Sequence, residues 1–232
     1  MRTLFLFVLC ILLTILLTPL LLFCLLFGCR TPLMLAGKGA MHLFRWILGI
    51  KVSVSGREHI RKNESYIFMS NHLSFLDGPL LFMLIPQPVR VILKKEIFKL
   101  PVIGLGMKHV GFVPVDRRGI RGGKKSIDQA AGLIRDKGYS FLIFPEGTRS
   151  RDGEIQAFKR GGFFLALESN APIVPISIDG SYELMPKGTF FVKKGTVRVV
   201  FHPPQPVLDF SLTTMPELIK KVKRMIQSCL EG

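Results

Sequence analysis

The sequence predicts an α/β domain, a mixed sheet flanked by helices, preceded by an N-terminal membrane-embedded helical pair. Three observations predict it. Residues 4–27 are apolar and carry no charge. After residue 50, apolar runs of strand length alternate with stretches of helical period. Third, 48% hydrophobic against 21% charged residues is the composition of a folded chain, and 232 residues hold one sizeable domain plus an accessory segment.

A hydrocarbon core takes about 20 apolar residues to cross. Residues 4–27 are long enough to span with tilt, or to enter and turn back, and Pro19 can kink them. A cleaved signal has a shorter apolar region, about 7–15 residues, before a small-x-small site. Leu26-Phe27-Gly28-Cys29 resembles a lipoprotein cleavage site only in part, because Phe27 is bulky. Arg2 precedes the run, while Arg30, Lys38, Arg45 and Lys51 follow it, which, if the segment spans, places the body on the cytoplasmic face. Residues 33–49 predict a second, amphipathic helix. Met34, Leu35, Met41, Leu43, Phe44, Trp46, Ile47 and Leu48 are its apolar side, and Lys38, His42 and Arg45 its cationic one. Such a helix suits the headgroup layer, with Trp46 at that depth; the alternative is a core helix of the domain. The division expected is 1–50 for the membrane-anchoring helices and 51–232 for the domain that carries the chemistry.

Strands are expected at 52–54, 66–69, 89–93, 112–115, 141–144, 173–178 and 197–201. A helix is expected over 123–137, with Ile127, Ala130, Ala131 and Ile134 on one face and Gly138 to end it. Another is expected at 163–168. Thr214-Met215-Pro216-Glu217 resembles a capping box before a last helix, where Leu218, Val222, Met225, Ile226 and Cys229 share a face. Residues 190–192, followed by Lys193-Lys194-Gly195, read as a late hairpin and make the sheet mixed.

Net charge is +16, from 32 Lys and Arg against 16 Asp and Glu. Such a surface suits an anionic partner: a lipid headgroup layer, nucleic acid or an acidic carrier. No RNP-type aromatic motif, zinc-finger spacing or helix-turn-helix supports nucleic acid. Cys10, Cys24, Cys29 and Cys229 have neither zinc nor redox spacing and read as apolar fillers, suited to a reducing compartment. His42, His59, His72, His109 and His202 are scattered, so no metal site is expected.

Two motifs fall where strands end, the place where α/β sheets bind ligands. The first is Asn71-His72-Leu73-Ser74-Phe75-Leu76-Asp77. On one continuous helix His72 and Asp77 lie off a common face. The spacing works if a helix begins between them, with Ser74 at the cap, Asp77 in the first turn and His72 on the incoming loop. Asp77 then holds one ring N–H, and the other nitrogen takes a proton from a substrate hydroxyl. Taken alone, the pattern also suits a capping carboxylate and a loop histidine. The second motif is Phe144-Pro145-Glu146-Gly147-Thr148-Arg149-Ser150. Gly147 lets the chain approach a ligand closely, and Arg149 offers a planar fork for phosphate. Glu146 is placed to orient Arg149 or to bind a substrate hydroxyl. Lys94, Lys95, Arg117 and Arg118 add cations between the motifs.

At these residues the chain resembles the 1-acylglycerol-3-phosphate acyltransferase (lysophosphatidate acyltransferase) family. The family's blocks match in order: Asn71, His72 and Asp77; Gly111 through Arg117; Phe144 through Ser150; and Val174-Pro175-Ile176. Pro114 departs from the usual aliphatic residue of the second block. The resemblance covers roughly residues 65–180, and the N-terminal pair also resembles that of bacterial members. It implies transfer of a fatty acyl group from acyl-CoA or acyl carrier protein to the sn-2 hydroxyl of lysophosphatidate, giving phosphatidate. His72 would be the base and Asp77 its support. Arg117 and Arg149 would bind the phosphate, with Glu146, Gly147 and Thr148 completing the substrate loop. The implied partners are a lysophospholipid acceptor, the acyl donor and anionic membrane lipids, with no nucleic acid and no cofactor. No G-x-S-x-G elbow calls for an acyl-enzyme, although Ser74 and Ser150 stand as candidate nucleophiles. Two alternatives remain: the same chemistry on another lysophospholipid or an acylated amino acid, and a basic membrane-bound lipid-binding protein without catalysis. The latter has no need of His72 beside Asp77.

Overall fold

A computed structural model of the chain describes residues 2–116, 120–189 and 191–230. Among the described residues seven strands form one sheet: β1 (Ile50–Ser55), β2 (Ile67–Ser70), β3 (Val89–Lys94), β4 (Val113–Val115), β5 (Ser140–Ile143), β6 (Ile173–Asp179) and β7 (Gly195–Phe201). Their order is β1-β7-β6-β2-β5-β3-β4. The helices are α1 (Arg2–Phe27), α2 (Thr31–Leu48), α3 (Asp77–Leu84), α4 (Ile103–His109), α5 (Ile120–Lys137), α6 (Gly161–Ser169), α7 (Ser181–Leu184) and α8 (Met215–Gln227).

Central strands covered on both faces need apolar side chains pointing both ways. β2 supplies them: Phe68 packs into one core with Leu81, Val174 and Ile176, while Ile67 and Met69 join Phe141, Phe163 and Leu218 in the other. α2 and α3 lie over the first core; α5, α6 and α8 lie over the second. Pro114, which has no N–H to give a ladder, sits on the edge strand β4, where an unpaired side is tolerated.

The sheet is mixed because β7 runs antiparallel to β6, while every other pairing is parallel. The expected hairpin is not the reason. Residues 191–194 form no strand, and Phe190 lies outside the described residues. Lys193 N–H bonds the Leu184 carbonyl at 2.9 Å, tying this segment to the end of α7 instead of to a strand partner. The capping box expected at α8 does not close either. Thr214 Oγ1 accepts the Ser211 N–H at 2.9 Å and makes no side-chain cap bond to the helix. The apolar stripe of α8 is as expected, with Leu218, Val222 and Ile226 fully buried.

Within α1, Val8–Phe27 is long and apolar enough to cross a membrane. Its side chains Ile15, Leu16 and Leu26 are exposed. α2 is amphipathic. One face packs on the domain through Met41 and Leu48, and Lys38 Nζ donates to the carbonyls of Ile85 (2.7 Å) and Gln87 (3.2 Å). Its other face, with Leu35 and Trp46, is open. The α1–α2 turn is fastened to the body, because Arg30 donates to the His109 carbonyl (2.8 Å) and the Tyr139 hydroxyl (3.1 Å).

Buried His202 links β6, the end of β7 and α8. Ser177 Oγ gives its proton to the Ile226 carbonyl at 2.6 Å, so His202 Nε2 donates to Ser177 Oγ at 2.8 Å. Burial, then the nearby His59, pushes His202 below the usual histidine value of 6.5. The unfolded chain therefore binds the proton first, and the stability this linkage provides above that value is lost as pH falls below it. The wild-type melting temperature should drop more between pH 7 and pH 5 than that of His202→Gln, which keeps a donor without titrating. Equal drops would contradict this role.

Candidate active site

His72 follows β2 after Asn71, which fixes the strand's end. The Asn71 amide donates to the Ile178 carbonyl at 2.8 Å and accepts the Ile178 N–H at 2.9 Å, stapling the loop to β6. Asparagine presents a donor and an acceptor on one side chain, which matches the two backbone groups of one residue.

The chain then turns into α3. Asp77 is fully buried, and its Oδ2 accepts the N–H groups of Leu73 and Ser74, each at 2.7 Å. The same oxygen lies 3.0 Å from His72 Nδ1. The expected cap at Ser74 does not form, since Leu76 is the residue that precedes α3 and it makes no side-chain cap bond. The carboxylate serves the Ser74 N–H, but Ser74 Oγ donates to the Met185 carbonyl (2.7 Å) and accepts the Leu76 N–H (3.2 Å). A carboxylate that accepts from this side places the ring proton on Nδ1 and leaves Nε2 as an acceptor. Phe144 stacks on the imidazole, with centroids 4.0 Å apart and planes 19° apart, so the ring's plane is fixed as well.

The second motif holds the first. Glu146 is 1% exposed. Its Oε1 accepts the N–H of His72 at 2.7 Å, and its Oε2 accepts the N–H of Gln156 at 3.0 Å. Ser150 N–H donates to the His72 carbonyl at 2.8 Å. Both backbone polar groups of His72 are thus held by the 146–150 loop. Burial pushes the Glu146 carboxyl above its ordinary range, while its two N–H donors and His72 pull it back. Each oxygen thus holds one backbone donor of the loop, and among the described residues no ion pair joins Glu146 to Arg149. Gly147 has φ +71°, and a Cβ there would come within 3.0 Å of Lys159 Nζ. Thr148 Oγ1 and the Arg149 carbonyl both accept from Lys187 Nζ, at 3.1 and 2.8 Å. The Arg149 guanidinium lies 5.7 Å from the ring centre of Phe75.

Arg117 and Arg118 lie outside the described residues. Lys95 pairs with Asp116, and Lys94 is 3.7 Å from Glu96. The hydroxyl of Ser150 donates to Asp152 (2.7 Å) and accepts the Gly153 N–H (3.1 Å). Like Ser74, it is fully buried, so neither serine is free to act as a nucleophile. Sequence reasoning missed Lys187, which belongs to no motif and reaches the site only through tertiary structure.

His72, Phe75 and Arg149 border a groove of about 1350 Å³. Its apolar walls include Leu13 and Leu17 of α1, Met41 and Phe44 of α2, Ile103 of α4, and Phe82 and Phe112. Lys94, Lys159 and Arg160 add cations to its lining.

Fold and site together define an α/β protein whose histidine–aspartate pair opens on an apolar groove rimmed with cations. The chain belongs to the Acyltransferase family, whose model matches residues 51–179. It is 34% identical over 177 residues to a 1-acyl-sn-glycerol-3-phosphate acyltransferase of Limnanthes douglasii, an alignment covering 76% of this chain and 62% of the plant protein. The chain thus spans less than two thirds of that relative's length. A protein of the same name from Borreliella burgdorferi is 28% identical over 194 residues, covering 84% of this chain and 77% of that one. The crystal structure of the 1-acyl-sn-glycerophosphate (LPA) acyltransferase PlsC from Thermotoga maritima is similar, with a TM-score of 0.74 and 29% identity. It matches over 88% of this chain and 78% of that chain.

Proposed function

We propose that the chain transfers a fatty acyl group from a thioester to the sn-2 hydroxyl of 1-acylglycerol-3-phosphate, giving phosphatidate. The observation that carries this reading is the His72–Asp77 pair, 3.0 Å apart, on a groove that also holds Arg149. The names of the relatives support the same reading. His72 Nε2 takes the hydroxyl proton as the oxygen attacks the thioester carbonyl. The C–S bond then breaks, and the imidazolium returns the proton to the leaving thiolate. Asp77 stabilises the imidazolium meanwhile. The committed hydroxyls of Ser74 and Ser150 favour this direct route over an acyl-enzyme.

Arg149, with Arg117, binds the acceptor phosphate, and the apolar groove takes an acyl chain. Acyl-CoA or acyl carrier protein is the donor substrate, and the reaction needs no cofactor. α1 anchors the chain in the bilayer, the open face of α2 meets the headgroup layer at Trp46, and the domain lies on the cytoplasmic face, where basic residues follow the apolar run.

A panel of lysophospholipids in vesicles, each offered with acyl-CoA and with acyl carrier protein, tests the substrates. Lysophosphatidate is expected to be the preferred acceptor; preference for a zwitterionic headgroup would overturn that choice. Arg149→Ala should raise the acceptor KM about tenfold or more, since bonds to charged groups contribute about 1.5–3 kcal/mol. Arg149→Lys should recover little, because an ammonium lacks the planar fork. A rise confined to the donor KM would assign Arg149 to the donor instead.

A further inference from the structure

We infer that Lys187, in the loop between α7 and β7, is a positioning residue for the anion site: it holds Thr148 and Arg149 so that the guanidinium is presented to the acceptor phosphate. The identity of that anion rests on the acyl-transfer reading above. An ammonium has three N–H donors. Two of them enter consecutive residues of the second motif, at Thr148 Oγ1 (3.1 Å) and the Arg149 carbonyl (2.8 Å). Bonds from an ionised donor are stronger than neutral ones, so a lysine grips this segment more firmly than a hydroxyl or amide.

The loop that carries Lys187 is itself tied down. The Met185 carbonyl accepts Ser74 Oγ of the first motif at 2.7 Å. Thr189 N–H returns to the Pro186 carbonyl at 3.2 Å, a turn in which Gly188 has φ +98°. Residues 185–187 therefore join both motif loops at one place. Among the described residues no carboxylate forms an ion pair with Lys187. Its charge adds to the positive field beside Arg149, which a phosphate would feel.

The test uses the full chain in vesicles containing lysophosphatidate, with acyl-CoA as donor. Lys187→Met should raise the acceptor KM about tenfold, the scale of lost bonds to a charged group, and leave the donor KM unchanged. Lys187→Arg, which keeps the charge and the donors, should recover most of the loss. Thr148→Val removes one of the two acceptors, so its effect on the acceptor KM should be less than additive with Lys187→Met. An unchanged acceptor KM in Lys187→Met overturns the inference, as does a parallel rise in both KM values. Should Lys187→Met not fold, failure of Lys187→Arg to retain acceptor affinity overturns it. Wild type that makes no phosphatidate counts against the acyl-transfer reading. The Lys187 contact is then decided by the melting temperatures of the same mutant cycle, where additive shifts overturn it and coupled shifts support it.

Discussion

Replacing His72 by alanine should lower acyl transfer by about 10²–10⁴-fold, the usual contribution of a positioned general base. The protein should stay folded. The backbone of residue 72 is held through its N–H by Glu146 and through its carbonyl by Ser150, and neither bond involves the imidazole. The loop should therefore keep its path in the variant, and the loss should fall on kcat. Asp77→Asn is a less clean experiment. Asp77 also accepts the N–H groups of Leu73 and Ser74, so an amide there disturbs the start of α3 as well as the ring. Measuring kcat and melting temperature together for His72→Ala separates chemistry from folding. Turnover within a few-fold of wild type would remove His72 from the mechanism.

The second large effect is expected at Glu146. A carboxylate offers acceptors on both oxygens, and both are used by part-buried backbone N–H groups, of His72 at 2.7 Å and Gln156 at 3.0 Å. Glutamine keeps one acceptor and sets an NH₂ against the other N–H. A buried donor left unsatisfied costs about 1–3 kcal/mol. The relief of a buried charge works the other way, since burial already disfavours the ionised carboxyl. The donor–donor conflict should prevail, because each Glu146 oxygen is the hydrogen-bond partner of one of these two N–H groups. Glu146→Gln should melt earlier and lose about 10²-fold in kcat, the scale of a displacement near 1 Å at a reacting group. If Glu146 served only to bind substrate, the variant would change KM and leave melting untouched. Kinetics and melting of this one variant therefore distinguish a positioning role from direct substrate contact.

Local patterns made much of the fold legible. All seven expected strand positions fall on strands, because continuous apolar runs such as 67–69, 141–142 and 173–176 are what a sheet covered on both faces demands. Gly138, at φ +62°, ends α5 as expected. The errors came where a local pattern had a tertiary competitor. Residues 191–194 look like strand material, but Lys193 is bonded to Leu184. Thr214 looks like a cap, but its hydroxyl serves Ser211. α4 was missed because Gly104 and Gly106 lower its helical propensity, and tertiary packing overrides that weak preference; a Cβ on Gly104 would meet the Phe98 carbonyl at 2.2 Å.

At the site, spacing and residue type allowed the His72–Asp77 pair but equally a capping carboxylate and a loop histidine, and it was the second motif that favoured the pair. The tie between the motifs was not legible. Nothing in a linear pattern says that Glu146 receives the N–H of His72, or that Lys187 reaches Thr148 and Arg149 from a loop with no motif of its own. The resemblance pointed to a substrate-binding loop; the geometry adds that the same loop holds the backbone of His72.

The most direct measurement follows thiol release and phosphatidate formation together, using the full chain in vesicles with acyl-CoA. Without lysophosphatidate, wild type should release no burst of thiol. With it, one phosphatidate acylated at the sn-2 position should form for each thiol released, and His72→Ala should suppress both signals equally. A burst of thiol equal to the enzyme in the absence of acceptor, or thiol release with no phosphatidate, would contradict direct transfer to the lipid hydroxyl.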